Sequence, residues 1–168
     1  MLADLCSELW RRNCHATFQI FNAEVDNAGF DIVLKLGKWV RYIQLKQAHE
    51  TKKPSHCSAR LSFSEIAGSC IVLISYSLQD LTITKYRFFG EGPDTPMPPI
   101  FGFKPSIAPG RRNAEGKRHI RHHYRNAPVS RFQVCADSSA LFDTLFPLGL
   151  EQLVAGNEQF PGFEDDEV

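Results

Sequence analysis

Three polar residues of one short hairpin carry the most specific chemistry in this 168-residue chain: Asp31, Gln44 and Lys46. Gly37-Lys38, with glycine first, has the signature of a two-residue type II′ turn. With that turn Leu36 pairs with Trp39, and Asp31 falls opposite Gln44 on one face of the ribbon. Lys46 lies two residues beyond Gln44 and points the same way. Directly opposed residues have Cβ atoms about 5 Å apart. The other face pairs Phe30 with Leu45, Ile32 with Ile43 and Leu36 with Trp39, an apolar surface that pins the register. A carboxylate, an amide oxygen and an ammonium converging on one spot suit metal-assisted phosphodiester hydrolysis. Oxygen ligands favour Mg²⁺ (or Mn²⁺), which keeps several waters and takes few protein ligands. The ion would activate water, and Lys46 would orient that water or stabilise the developing anion. Glu24, just upstream, offers a further metal-binding carboxylate, with Asp26 a less favoured candidate for the same place.

Other constellations are weaker. In His119-Ile-Arg-His122-His123 the HxxH spacing would put two imidazoles on one face of a helix. No third ligand follows at sensible spacing, and the surrounding cations oppose metal binding, which favours phosphate contact or plain exposure. His56-Cys57 has no cysteine partner at zinc spacing, and Cys70 inside an apolar run reads as a core thiol. Neither GxxxxGK nor GxGxxG occurs, so nucleotide-driven chemistry lacks support.

The formal net charge is zero, 19 basic against 19 acidic side chains, but the sum hides a cancellation. Residues 32–60 hold seven Lys and Arg against one acid, and residues 104–131 hold eight against one. The second window interleaves Arg111, Arg112, Lys117, Arg118, Arg121 and Arg125 with Tyr124 and three histidines. That composition fits contact with a nucleic-acid backbone, which is dominated by charge and sensitive to salt.

The elements that must position these residues read as a mixed α/β chain. Residues 2–13 have one apolar stripe (Leu2, Leu5, Cys6, Leu9, Trp10) and predict a helix. Residues 17–25, 30–36 and 39–48 predict strands, the last two forming the hairpin. Residues 49–58 read as a loop, and 59–66 fit either a strand or a short helix. Residues 69–77 are apolar almost throughout, as a strand buried on both faces would be, and 81–89 give a further strand. Residues 90–110, dense in proline and glycine, predict an irregular excursion. Residues 111–126 read as basic and polar, 129–134 as a last strand, and 138–146 as a closing helix with Asp137 as N-cap.

Length and a hydrophobic content of 43% suit one domain over residues 1–155. The acidic remainder, 156–168, predicts a disordered tail. The composition excludes a fibrous chain, and no apolar run approaches the roughly 18 residues that span a bilayer. Five scattered cysteines without a CxxC read as reduced thiols, and Asp4 stands where an export signal would carry positive charge. Both point to a cytoplasmic protein with no membrane partner.

The stretch from Glu24 to Gln47 resembles the core of the PD-(D/E)xK, or restriction-endonuclease-like, nuclease superfamily. There Gly-(Phe/Tyr)-Asp opens one hairpin strand and (Glu/Gln)-x-Lys sits on the next, after an N-terminal helix. Asp31 matches the metal-binding Asp, Gln44 the Glu/Gln position, Lys46 the lysine and Glu24 the additional upstream acid of many members. Over most of residues 1–147 the chain also resembles a set of small bacterial proteins sharing Glu-Val-Asp-x-x-Gly-(Tyr/Phe)-Asp and Ile-Gln-Leu-Lys. Those proteins then carry a strand matching Gly68-Ser69-Cys70-Ile71-Val72 and a Phe-Phe-Gly matching Phe88-Phe89-Gly90. The resemblance implies a restriction-endonuclease-like mixed sheet with an N-terminal and a C-terminal helix, and Mg²⁺-dependent endonuclease activity on DNA more than RNA. It also implies self-association, since a small core that cuts both strands needs two copies. In two respects the chain departs from the pattern. Gln44 stands where Glu is commoner, and residues 49–68 show no clear counterpart of the helix that follows the motif strand.

Overall fold

A computed structural model describes residues 1–13, 16–22, 29–108, 110 and 116–147. Helix α1 (Leu2–Arg12) buries Leu5 and Leu9, four apart on one stripe. Strand β1 (Gln19–Asn22) pairs with β2 (Ile32–Leu36), and β2 with β3 (Trp39–His49), both antiparallel. The β2–β3 register pairs Ile32 with Ile43 and Leu36 with Trp39, as the turn chemistry requires. Gly37 adopts φ +58° while Lys38 does not enter positive φ, the pattern of a type II′ turn.

Strand β5 (Ser69–Tyr76) runs parallel to β3, and β6 (Ile83–Gly90) and β9 (Gln133–Cys135) follow antiparallel. The six-stranded sheet therefore has the order β1-β2-β3-β5-β6-β9. β5 is buried on both sides, which explains its apolar run: Cys70 and Val72 enter one cluster, Ile71 and Leu73 another. The first cluster lies under α1 and α2 (Ser138–Leu145) and includes Leu34, Ile43, Leu141 and Phe142. Asp137 caps α2 by accepting the Ala140 N–H at 2.8 Å.

A second sheet, β4-β8-β7, covers the opposite face. It comprises β4 (His56–Arg60), β8 (Ile120–Pro128) and β7 (Pro105–Ile107). Cys57, Ala59 and Ala127 from it meet Phe63, Ile71, Leu73 and Phe89 in the second core. The layers are thus helices, large sheet and small sheet.

Three expectations need correction, and one left open is resolved. Residues 49–58 are not all loop, because β4 begins at His56, and residues 59–66 resolve into the end of β4 and a 3₁₀ turn over Ser62–Glu65. The last long strand is Ile120–Pro128, inside the window read as merely basic, whereas Val129–Arg131 form a 3₁₀ turn before the short β9. The irregular excursion 90–110 contains β7. In each case the small sheet supplies partners for backbone whose side chains show little apolar alternation, so periodicity had little to register.

The parallel β3–β5 connection accordingly crosses over through β4 and the 3₁₀ turn, with no helix between them. Gly68 closes that crossover at φ +76°, where an added Cβ would stand 2.3 Å from the Val40 carbonyl oxygen.

Burial pushes the Cys57 thiol up to about 11 and the Cys70 thiol up to about 12, and raises Cys135 as well. A thiol whose pKa is higher folded than unfolded stabilises the fold fully below the unfolded value, and that stability is lost as pH rises past it. The melting temperature is therefore expected to fall from about pH 9 upward. Replacing Cys57 and Cys70 with Ala should flatten this alkaline slope, read by thermal melts across pH. An unchanged slope in the double variant would assign it to other groups.

Candidate active site

The geometry starts at the entry to β2. The Asp31 N–H donates to the Ile43 carbonyl at 2.9 Å, although Ile43 is already the partner of Ile32. Two residues thus oppose one, and the alternation of faces slips at Asp31. Phe30 is consequently not on the Ile32 side, where strict alternation places it. Its ring meets Tyr42 at 5.2 Å and Phe63 at 6.3 Å between centroids, within the inter-sheet core.

The slip also redirects Asp31. Its exposed carboxylate accepts the Leu45 N–H at 2.6 Å, taking the place a backbone carbonyl would hold in a continued ladder. Asp31 is therefore fixed to the peptide that joins Gln44 to Leu45, a tighter link to the Gln-x-Lys segment than opposition across a ribbon.

Gln44 is 6% exposed. It stands on β3 level with Ile71 of β5 and Phe89 of β6, both in the inter-sheet core. The expected polar face is thus partly the floor of the small sheet. The Gln44 Oε1 is buried with no hydrogen-bond partner among the described residues. A buried carbonyl oxygen left unpaired costs roughly 1–3 kcal/mol, so it marks a place where a donor or a cation is favoured. Lys46, two residues on, is half-buried and level with Leu73, on the same face as Gln44.

Glu24 and Asp26 lie outside the described residues, as do Arg111 and Arg112. Among the described residues no group of three or more His, Cys, Asp and Glu converges on a metal position. The oxygens at the hairpin are the Asp31 carboxylate and the Gln44 amide. Hard oxygen donors of this kind match the preference of Mg²⁺ or Mn²⁺.

The second basic window is reorganised by β8. Lys117 and Arg118 are exposed just before it. Arg121 stacks its guanidinium 3.4 Å from the Tyr124 ring centroid. Arg125 donates to the carbonyls of Phe101, His122 and Tyr124 and so staples the β7–β8 region. His122 and His123 lie within β8, where neighbours alternate between faces, so the helical HxxH geometry does not arise. β4 and β8 pair with Ala59 opposite Arg125 and Arg60 opposite Tyr124, so Arg60 joins the second basic window in one sheet while Lys35, Arg41 and Lys46 belong to the large sheet.

Arg41 is the residue that sequence reasoning missed. It counts toward the first basic window, yet it is 0% exposed. Its Nε donates to the Leu145 carbonyl at 2.7 Å, and its Nη2 donates to Glu91 at 2.8 Å and Thr144 at 3.2 Å. Burial draws the guanidinium below its ordinary pKa. The signal available was position: Arg41 alternates with Tyr42 and shares the Ile43 face, which the helices cover. No family model matches the chain, and no curated protein matches it.

Proposed function

We propose that the chain is a metal-dependent nuclease hydrolysing phosphodiester bonds, with DNA preferred to RNA on the strength of the motif's resemblance. The observation that carries this reading is the clamp of the Asp31 carboxylate on the Leu45 N–H, on the strand that bears Lys46 and the Gln44 oxygen, which is buried without a partner among the described residues. On this reading α1, the β2–β3 hairpin and β5 correspond to a restriction-endonuclease-like core, with β4 replacing the usual crossover helix.

Asp31, Gln44 and Glu24 would hold the ion. When bound, it supplies Lewis-acid activation of water and neutralises charge on the scissile phosphate. The chain's own residues do the rest. Asp31 is oriented by the Leu45 N–H, and Gln44 contributes a neutral oxygen. Lys46 places a positive charge where the attacking water and the pentacoordinate phosphorus develop negative charge.

The test is nicking of supercoiled plasmid with Mg²⁺ or Mn²⁺, with parallel RNA and single-stranded DNA substrates. Cleavage that EDTA abolishes and the metal restores supports the reading, and no cleavage under any metal removes it. The arginine-rich strand β8, with Arg60 of β4 paired beside it, favours a second reading, a nucleic-acid-binding module without cleavage. Salt-sensitive binding with no metal uptake by calorimetry would select it.

A further inference from the structure

The strand registers place a second cation beside Lys46. Lys46 of β3 is level with Leu73 of β5, and Leu73 with Arg87 of β6. Paired positions share a face, and Leu73 belongs to the inter-sheet core, so Lys46 and Arg87 flank it on the side of the small sheet. Two strand spacings separate their Cα atoms by about 10 Å, a gap that two long side chains can close on one tetrahedral anion.

Both charges also reach the Cys57 thiol of β4 and counter the rise that burial imposes on it. Three elements thus bring Lys46, Arg87 and Cys57 to one locality. Among the described residues neither cation forms an ion pair. The ion pairs of the described residues all involve α1 residues or the N-terminal amine. Arg87 Nη1 donates to the Ser75 hydroxyl at 3.3 Å, a neutral partner that steadies the guanidinium without cancelling its charge. Lys85 extends the row, level with Ser75 and exposed. Two half-buried like charges on one face repel unless an anion lies between them.

We propose that Arg87 and Lys46 form a two-cation seat for one phosphate of a nucleic-acid strand, with Ser75 as the residue that positions Arg87. Arg87 stands outside the hairpin motif, and its planar fork can grip a phosphate bidentately where the lysine acts as a point charge. The assignment builds on the nuclease reading, since it locates substrate next to Lys46, but it is a statement about binding.

The test is therefore run in EDTA, where no cleavage occurs. Fluorescence anisotropy of a labelled duplex is titrated with the full chain at several salt concentrations. Arg87→Ala should weaken binding about tenfold and reduce the slope of log affinity against log salt by about one. Arg87→Lys should restore most of that slope. Ser75→Ala should weaken binding less than Arg87→Ala without changing the slope. Lys46→Ala combined with Arg87→Ala should cost less than the two single losses together, because both address the same phosphate. An unchanged slope in Arg87→Ala overturns the seat, and so does a loss of affinity that Arg87→Lys leaves unrelieved. If wild type binds but never cleaves, the nuclease reading falls and the outcome for Arg87 still stands.

Discussion

Lys46→Ala and Asp31→Ala are each expected to lower metal-dependent cleavage by at least about a hundredfold, with melting temperatures within about 3 °C of wild type. The two losses have different causes. The Lys46 side chain forms no hydrogen bond or ion pair among the described residues, so its removal leaves the β3 ladder intact and takes away the positive charge that the proposed mechanism sets beside the phosphate. Asp31 has a structural task as well, because its carboxylate holds the Leu45 N–H. Asp31→Asn separates the two tasks: the amide oxygen can still accept that hydrogen bond, while the charge needed for a cation is gone. Asp31→Asn should thus match Asp31→Ala in lost cleavage and match wild type in stability. Cleavage by both alanine variants at the wild-type rate would trace the activity to a contaminant and remove the site.

The largest stability effect is expected at Arg41. Arg41→Ala should destabilise the fold on the order of 4 kcal/mol, about 10 °C in melting temperature. The substitution strips partners from the carbonyls of Glu91, Thr144 and Leu145 and opens a cavity against Phe88, over whose ring the guanidinium stands at 5.5 Å. Two of those carbonyls end α2, where a cation also complements the helix dipole. Arg41→Lys keeps the charge but cannot serve Leu145 and Glu91 from one planar fork, so it should recover only part of the loss. Urea unfolding of the three proteins measures this. A shift below about 1 kcal/mol for the alanine variant would mean that water takes over those carbonyls and that the burial is not energetically used.

The hairpin was the most legible part of the chain because two independent local rules agree on it. The Gly-Lys turn fixes the register, and the apolar pairs Ile32–Ile43 and Leu36–Trp39 enforce it. Helices α1 and α2 were legible for similar reasons, an apolar stripe in one and a capping aspartate in the other. What stayed hidden depends on partners distant in sequence. The slip at Asp31 is a backbone event that side-chain alternation does not announce, and it moved Phe30 to the other core. β8 alternates polar and charged residues because only Ala127 reaches the interior, so its strand character comes from pairing with β4 and β7. The burial of Gln44 and of Arg41 follows from what covers each face of β3, and the cover over Gln44 is the small sheet, whose strands are scattered between residues 56 and 128.

That scattering has a consequence for how the protein is made. Arg60 finds its strand partner at Tyr124, more than a third of the chain later, while β3 and β5 can align as soon as residue 76 has emerged. The inward side chains of β5, Ile71 and Leu73, share the second core with Ala127 and Phe132, which lie more than fifty residues later in the chain. A nascent or truncated chain ending before Ile120 presents β4 as an unpaired edge over uncovered apolar surface, the condition under which chains capture one another instead of themselves. Closing the second core, on whose face Lys46 and Arg87 lie, therefore requires the chain to be present through β8 and Phe132.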